Sequence, residues 1–181
     1  MKTLMTSEDF SAVIEGLASK IADSGTGFKD MAFLGIHTRG VPLAARLAKI
    51  LRKQSSEIHL GTLDINLYRD DLSQTSEQPI LKSTQIDFDL TGKTIYLCDD
   101  VLFTGRTIRA AMDAVFDLGR PRAVYLVVMA RRTGRELPID ANLFAIDVQT
   151  KAGDNIKVKF LETDGEDSIA LYEKGEYAKG T

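Results

Sequence analysis

Residues 95–107 constrain the fold of this chain more than any other segment of the sequence. They begin with a short apolar run, 95–98, of the kind that forms a strand covered on both faces in a parallel sheet. Two adjacent acids, Asp99 and Asp100, follow the run, and a small polar loop leads from them into an alanine-rich helix. Loops at the carboxyl ends of parallel strands are where open α/β sheets bind their ligands. The order of these parts therefore predicts a ligand site at the end of a central strand.

The residue types of this segment indicate the chemistry of its ligand. Residues 104–107 (TGRT) offer backbone amides, two hydroxyls and a guanidinium at the start of a helix, which together suit an anion. Asp99 and Asp100 would repel an anion, but carboxylates accept hydrogen bonds from hydroxyl groups. A ligand that carries a phosphate beside a diol satisfies both halves, and ribose 5-phosphate is such a ligand. Taken singly, an acidic strand end or a TGRT turn is commonly structural, and their succession favours the ligand site.

Length and composition fit a single globular domain that spans residues 1–181. The chain has 44% hydrophobic residues, and its 23 basic and 26 acidic side chains give a net charge of −3. It therefore lacks the basic excess of a dedicated nucleic-acid binder. Cys98 is the only cysteine, which excludes a disulfide framework, and its apolar neighbours predict a small buried side chain. No signal peptide and no membrane-spanning run are evident, so we expect a cytoplasmic protein without membrane contact.

Strands and helices alternate over the first two thirds of the chain, which predicts an α/β fold with a parallel central sheet. Helices are expected after a variant capping box at residues 6–9, around Pro42, and over 107–118. The predicted strands are 31–36, 58–67, 94–98, 123–129, 143–148, 156–161 and 169–172. Residues 69–84 are rich in polar side chains, which predicts either a long polar loop or a hairpin with a mobile tip. A loop of this length inside a compact domain often serves as a lid.

Two further loops supply side chains suited to phosphate groups. Residues 37–40 (HTRG) follow a buried strand just as the acidic pair does, and such a turn can hold phosphoryl oxygens. If the two strands are neighbours, one loop can hold a 5-phosphate and the other a pyrophosphate. Arg69, at the start of the long polar loop, is either part of a solvated charge cluster or a lid residue that closes on a phosphate-rich ligand.

A basic cluster, Arg131, Arg132 and Arg135, lies in a predicted loop over residues 131–138. Such a cluster is usually a solvated surface. Because it follows a strand at the expected ligand edge, it could also shape a base pocket or contact an anionic partner. With only two histidines in the chain, a histidine metal site is not expected, and any metal should arrive with the ligand, as Mg²⁺ on a pyrophosphate.

Several runs of the sequence resemble the type I phosphoribosyltransferases. They resemble more narrowly the bifunctional family that joins a pyrimidine operon attenuator with a uracil phosphoribosyltransferase. The runs are 35–40 (GIHTRG), 67–73 (LYRDDLS), 99–107 (DDVLFTGRT), 119–121 (GRP) and 135–138 (RELP). The LYRDDLS run is far more specific than the general signature, and the resemblance extends from the first helix to Tyr172.

The resemblance implies a type I phosphoribosyltransferase fold, with a parallel central sheet flanked by helices and a small strand-containing hood. It implies an enzyme that forms UMP and pyrophosphate from uracil and phosphoribosyl pyrophosphate. Mg²⁺ would be carried by the phosphoribosyl pyrophosphate, with no site from the protein alone. The resemblance also implies regulation of pyrimidine biosynthesis genes by transcription attenuation, through the operon leader RNA when UMP is abundant. Family members tend to form homo-oligomers, as dimers or larger assemblies.

The resemblance further implies roles for individual residues. The catalytic residues would be Arg39, Arg69, Asp99 and Asp100. The substrate-binding residues would be His37, Thr38, Arg39, Gly40, Asp99, Asp100, Val101, Leu102, Phe103, Thr104, Gly105, Arg106 and Thr107. Within that set, the two acids would bind the ribose hydroxyls, loop 104–107 the 5-phosphate, and loop 37–40 the pyrophosphate, with a strained peptide bond around Thr38 and Arg39. Arg39 and Mg²⁺ would neutralise the departing pyrophosphate. RNA would contact Arg131, Arg132 and Arg135.

Some segments depart from the family pattern. Residues 131–134 read RRTG where the pattern has Asp-Arg-Gly-His, and residues 145–150 read AIDVQT where it has Gly-Lys-Asn-hydrophobic-Pro-Thr. The polar face of the first helix is mostly acidic, with Glu8, Asp9, Glu15 and Asp23 against Lys20. Acidic groups oppose contact with RNA phosphates. An alternative therefore stands beside the first reading: a nucleotide-sensing regulator of the same fold with weak or lost transferase activity, or an enzyme for another base.

Overall fold

The computed structural model describes residues 1–68 and 84–176, and these residues form two β-sheets and four α-helices. The strands are β1 (Lys2–Met5), β2 (Met31–Ile36), β3 (His59–Leu63), β4 (Thr94–Leu102), β5 (Ala123–Arg132), β6 (Leu143–Val148), β7 (Asn155–Lys159) and β8 (Ser168–Tyr172). The helices are α1 (Ser7–Ala22), α2 (Gly40–Leu51), α3 (Arg106–Leu118) and α4 (Leu161–Asp164).

The larger sheet has the strand order β3-β2-β4-β5-β6, and all of its pairings are parallel. Every residue of β2 is buried, as an apolar strand covered on both faces must be. β2 and β4 are direct neighbours, with Met31 opposite Thr94 and Gly35 opposite Cys98. The predicted α/β fold with a parallel central sheet is confirmed. The two loops that the sequence marks for phosphate groups therefore leave adjacent strands at the same edge.

The smaller sheet is antiparallel, in the order β1-β8-β7, and α4 connects β7 to β8. We call β1, β7, α4 and β8 together the hood. The predicted strands near 156 and 169 are both present. β1 has four residues, too few for the period-two pattern that identifies a strand in a sequence. The hood thus joins the first residues of the chain to its last third.

Two hydrophobic clusters cover the two faces of the parallel sheet. One joins α1, α2 and the hood to the sheet, and Phe10 of α1 meets Phe160 in front of α4 edge to face at 5.3 Å between ring centroids. The other lies beneath α3, where Ile108, Ala111 and Val115 are buried. The hood is therefore held to the sheet by the same core as the first two helices.

Two predicted strand ends are wrong, because the backbone ladder continues past the last apolar residue. β4 runs on to Leu102, so Asp99 and Asp100 lie within the strand, with Asp99 opposite Val128. β5 runs on to Arg132, so the predicted basic loop begins inside that strand. The hydrogen bonds between paired strands involve only main-chain atoms. A charged side chain near the end of a strand therefore does not interrupt them.

Smaller differences concern the ends of other elements. β3 stops at Leu63 rather than 67, and a short 3₁₀-helix, Asn66–Tyr68, follows it. α1 begins where predicted, but the Thr6 hydroxyl donates to the Asp9 carboxylate at 3.1 Å and does not cap a backbone amide. The predicted lid falls on residues 69–84, of which 69–83 lie outside the described residues. Across 1–68 and 84–176, no helix has the length and apolarity needed to cross a membrane.

Candidate active site

The acidic end of β4 is the centre of the site. Asp99 is 7% exposed, and its Oδ1 accepts the backbone N–H of Asp100 at 2.9 Å. Oδ1 of Asp100 accepts the N–H of Val101 at 2.8 Å. Burial raises the pKa of both carboxyl groups, and the positive charge of Arg39 opposes this rise at Asp100. One buried and one half-buried carboxyl group at this strand end are suited to accept hydrogen bonds from the hydroxyls of a ligand.

The loop after β4 leads directly into the start of α3. Gly105 precedes the helix with φ of +93°, a conformation that favours glycine, and the Thr104 hydroxyl accepts the backbone N–H of Arg106 at 3.3 Å. The main-chain carbonyl of Thr104 accepts N–H groups of Glu136 and Leu137 at 3.0 and 3.1 Å, which fixes the loop. Arg106 pairs with Glu136 at 2.7 Å. First-turn amides and a positive helix end are therefore held ready for a phosphate.

Loop 37–40 lies against β4 through Gly40. A Cβ added at Gly40 would stand 2.1 Å from the carbonyl oxygen of Cys98, so only glycine permits this approach. The peptide bond between His37 and Thr38 is cis, one residue before the bond singled out in the sequence. α2 begins at Gly40, so a second helix N-terminus opens at the same edge of the sheet.

Arg39 reaches from this loop to the hood. Its Nε donates to Oδ2 of Asp164 at 3.0 Å and its Nη2 donates to Oδ1 at 2.7 Å. Asp164 follows Arg39 by 125 positions, and no motif in the sequence marked it. The pair lowers the pKa of Asp164, chiefly through the hydrogen bonds from Arg39. An arginine at the predicted pyrophosphate loop is thus tied to a hood carboxylate.

The basic cluster lies beside the phosphate loop, but its members have different surroundings. Arg131 pairs with Asp140 at 2.9 Å and with Asp147 at 2.7 Å. Arg132 is 6% exposed, its guanidinium carbon stands 3.9 Å from the centroid of the Phe103 ring, and its Nε has no hydrogen-bond partner in the described part of the chain. Burial lowers the pKa of Arg132.

Arg135 completes this cluster and donates to the carbonyl oxygen of Phe103. The cluster borders an open cavity of about 520 Å³, which Pro138 and Asp140 also line. The assignment of Arg131, Arg132 and Arg135 to RNA stays a prediction.

Two departures from the family pattern contact one another. Arg131 stands where the pattern has aspartate and Asp147 where it has asparagine, and their side chains pair across β5 and β6 at 2.7 Å. The charge gained at one position is therefore balanced at the other. Both residues lie in segments next to the expected base pocket.

The structure brings most of the predicted site residues to one edge of the sheet. His37, Thr38, Arg39 and Gly40 lie beside the end of β4, and residues 99–107 form that end and the loop after it. Leu102 and Gly105 are buried in support of the loop, and Phe103 is exposed. Arg69 lies outside the described residues, and its role stays a prediction. Sequence reasoning missed Asp164, because its partner comes from the opposite end of the chain.

Comparisons with known proteins agree with this geometry. A family model for the phosphoribosyl transferase domain matches residues 2–160. A bifunctional protein PyrR from Thermus aquaticus is 47% identical over 172 residues, which are 94% of this chain and 95% of that protein. A bifunctional protein PyrR from Clostridioides difficile is 40% identical over 171 residues, covering 94% and 97%.

Solved structures show the same fold at low identity. A hypoxanthine phosphoribosyl transferase from Trypanosoma cruzi superimposes with a TM-score of 0.73 and 17% identity, covering 98% of this chain and 94% of that one. A purine phosphoribosyltransferase from Pyrococcus horikoshii gives a TM-score of 0.59 at 22% identity, covering 80% and 86%. The predicted type I phosphoribosyltransferase fold is confirmed.

The end of β4 is acidic, the loop after it suits a phosphate, and a second loop packs through Gly40 beside it on the adjacent parallel strand. Together with the hood, these features define the class of phosphoribosyltransferases. Within that class, the matches over nearly the whole chain decide the family. The chain belongs to the family of bifunctional PyrR proteins, and the family predicted from the sequence is confirmed.

Proposed function

We propose that this chain transfers the 5-phosphoribosyl group of phosphoribosyl pyrophosphate to uracil, forming UMP and pyrophosphate. The observation that carries the proposal is the meeting of Asp99 and Asp100 with two helix N-termini on adjacent parallel strands. The acids suit a ribose diol, and the helix ends suit the 5-phosphate and the pyrophosphate. Relatives that match 94% of the chain are named bifunctional, which supports a catalytic and a regulatory role.

The reaction needs charge control rather than a protein nucleophile. The bond between ribose C1 and the pyrophosphate oxygen breaks with its electron pair remaining on oxygen, while uracil N1 bonds to C1 and releases its proton to solvent. Arg39 and the start of α2 face negative charge that grows on the leaving group. Asp99 and Asp100 hold the ribose hydroxyls and face positive charge that grows on the sugar ring.

The donor set at the end of β4 fits Mg²⁺ carried by the substrate. Mg²⁺ prefers oxygen ligands and is commonly held by one or two carboxylates together with substrate phosphates. Asp99 and Asp100 are two such carboxylates at the diol position. When bound, the ion would neutralise pyrophosphate charge. The two aspartates position the diol to which such an ion would be bound.

The test is a steady-state assay of pyrophosphate release, with phosphoribosyl pyrophosphate, Mg²⁺ and a panel of bases. We expect turnover with uracil and a strong loss of turnover in Arg39→Ala, because this guanidinium faces the leaving group. Turnover that is unaffected by Arg39→Ala would remove its assigned role. Absence of turnover with any pyrimidine base would reject the transferase proposal.

A second activity is supported by the family and by the basic cluster. We propose that the chain also binds the leader RNA of pyrimidine biosynthesis genes, in a UMP-dependent manner, through Arg131, Arg132 and Arg135. A cytoplasmic location is part of the same proposal. Assembly into dimers or larger oligomers is part of the same proposal, and light scattering of the purified protein tests it.

One observation favours another base as the alternative substrate. The ion pair between Arg131 and Asp147 joins two departures from the family pattern next to the expected base pocket. A pocket edge rebuilt in this way can change the hydrogen-bonding groups that meet a base. Turnover with a base other than uracil, at a higher kcat/KM than with uracil, would decide for this alternative.

A further inference from the structure

The pair between Arg39 and Asp164 is a bidentate contact between loop 37–40 and the hood. Both Oδ atoms of Asp164 accept hydrogen bonds from Arg39, at 2.7 and 3.0 Å. Oδ2 of Asp164 also accepts the backbone N–H of Phe160 at 3.1 Å, and the side chain is 13% exposed. The carboxylate is therefore fixed by its own helix before it meets the arginine.

Arg39 acts on the acidic strand end as well as on this carboxylate. Burial raises the pKa of Asp100 and the positive charge of Arg39 opposes that rise, so the guanidinium is within electrostatic reach of the end of β4 as well as of the hood. An arginine side chain has many rotamers, and ordering one on binding costs free energy. A bidentate partner fixes the planar group in advance, which preorganises its charge for a transition state.

We propose that Asp164 is a positioning residue, which holds the guanidinium of Arg39 in the orientation that receives the pyrophosphate. This inference rests on the proposed transferase function, because it assigns Arg39 to the leaving group. Asp164 itself does not touch substrate in this account. Its effect on catalysis passes through Arg39 alone, and this distinguishes it from a residue that only supports the hood.

The chain offers a matched control in Asp167. This residue also has a side chain that is 13% exposed, and it pairs bidentately with an arginine of α2, Arg46, at 2.8 and 2.9 Å. Its Oδ1 accepts the backbone N–H of Leu161 at 2.8 Å. Asp164 and Asp167 thus do the same structural work for α4, but Arg46 lies two helical turns beyond Arg39.

The experiment compares Asp164→Asn with Asp167→Asn. Calorimetry measures the Kd for magnesium pyrophosphate, and steady-state assays with phosphoribosyl pyrophosphate and uracil measure kcat and KM. We expect Asp164→Asn to raise the Kd and to lower kcat, each by about tenfold, because a misplaced charge stabilises the leaving group poorly. The KM for uracil should stay unchanged. Asp167→Asn should lower the melting temperature by as much as Asp164→Asn does. It should leave the Kd for magnesium pyrophosphate and the kcat at their wild-type values.

A double-mutant cycle with Arg39→Ala separates positioning from direct action. In the Arg39→Ala background, Asp164→Asn should cause no further loss of kcat or of pyrophosphate affinity. Additive losses, or equal losses in the Asp164 and Asp167 variants, would overturn the inference. If Asp164→Asn does not fold, Asp164→Ser keeps an oxygen for the N–H of Phe160 and serves in its place. If the wild type turns over no base, the transferase proposal fails and the pyrophosphate Kd values alone decide for or against Asp164.

Discussion

At the scale of single residues, Gly40 shows how closely loop 37–40 packs against the end of β4. Its Cα lies where any Cβ would stand 2.1 Å from the Cys98 carbonyl oxygen and 3.2 Å from Cα of Asp99. A side chain of any size must push loop 37–40 away from β4. The distance between loop 37–40 and Asp99 therefore depends on this one position.

Substitution of Gly40 tests that dependence. We expect Gly40→Ala to lower the free energy of unfolding by about 1–3 kcal/mol, through overpacking, and to weaken binding of phosphoribosyl pyrophosphate. Gly16→Ala is the control, because a Cβ at Gly16 meets no other described atom within 4 Å and the position lies in α1. The control should be neutral or stabilising by up to about 1 kcal/mol. Wild-type ligand affinity in Gly40→Ala would contradict the proposed packing.

We expect the buried carboxylate of Asp99 to lower the stability of the fold while it serves ligand binding. Burial and the charge of Asp100 raise the pKa of Asp99 above its ordinary value. Between that ordinary value, about 4, and the raised one, the folded state holds more protons than the unfolded chain, so stability falls as pH rises. Asp99→Asn removes this loss of stability with rising pH.

Thermal melts across pH check the sign of this effect. We expect the melting temperature of Asp99→Asn to exceed that of the wild type by roughly 2–5 °C at neutral pH. The difference should shrink as the pH is lowered toward the ordinary carboxyl range, because the wild-type carboxyl then becomes protonated. A variant that is less stable than the wild type at neutral pH, with no dependence on pH, would show that Asp99 is not strained by its burial.

How much of the site is readable from sequence depends on where its contacts lie along the chain. Asp99, Asp100 and Thr104 are close in sequence, so their order alone indicates a diol and phosphate site. Arg39 joins them because a buried strand precedes each loop, a pattern that also survives in one dimension. Asp164 is 125 positions from Arg39, and the pair exists only once the hood is folded over the sheet. The predicted ends of β4 and β5 are wrong for a related reason, since backbone pairing does not depend on side-chain polarity.

At the scale of elements, Arg46 ties α2 to the hood. It donates to Glu162 at 2.6 and 2.8 Å and to Asp167, and its guanidinium carbon lies 5.6 Å from the centroid of the Phe10 ring. The hydrogen bonds that Arg46 donates to Glu162 are the largest cause of the raised pKa of Arg46. One cation therefore compensates two hood carboxylates above an aromatic layer.

Removal of that cation should loosen the hood before it loosens the sheet. In Arg46→Met we expect a loss of about 1–3 kcal/mol in the free energy of unfolding, because two neighbouring carboxylates are left without their partner. Amide hydrogen exchange should speed up in β7 and β8 and stay slow in β2 and β4. Uniform acceleration over all four strands would mean that the hood and the sheet open only together.

At the scale of the whole molecule, we expect the charge of the protein to limit the strength of the proposed RNA binding. The net charge is −3, and the exposed face of α1 carries Glu8, Asp9 and Glu15. Arg131 is paired to two aspartates, Asp140 and Asp147. Few cations are thus available for phosphates, and few phosphate contacts give a shallow salt dependence.

Filter binding to a pyrimidine leader RNA over a salt series measures this expectation. We expect modest affinity that depends on UMP, a log–log salt slope of magnitude about 3 or less, and a clear loss in Arg131→Ala with Arg132→Ala. Tight binding stimulated by UMP that survives the double substitution would place the RNA surface elsewhere on the molecule.

The central claim is that the end of β4 and the start of α3 together hold a ribose 5-phosphate. Calorimetric titration of UMP into the wild-type protein and into Asp99→Asn with Asp100→Asn tests it directly. We expect the wild type to bind UMP saturably and the double variant to bind it at least about tenfold more weakly, because the diol loses its charge-assisted acceptors. An unchanged Kd for UMP in a folded double variant would contradict it.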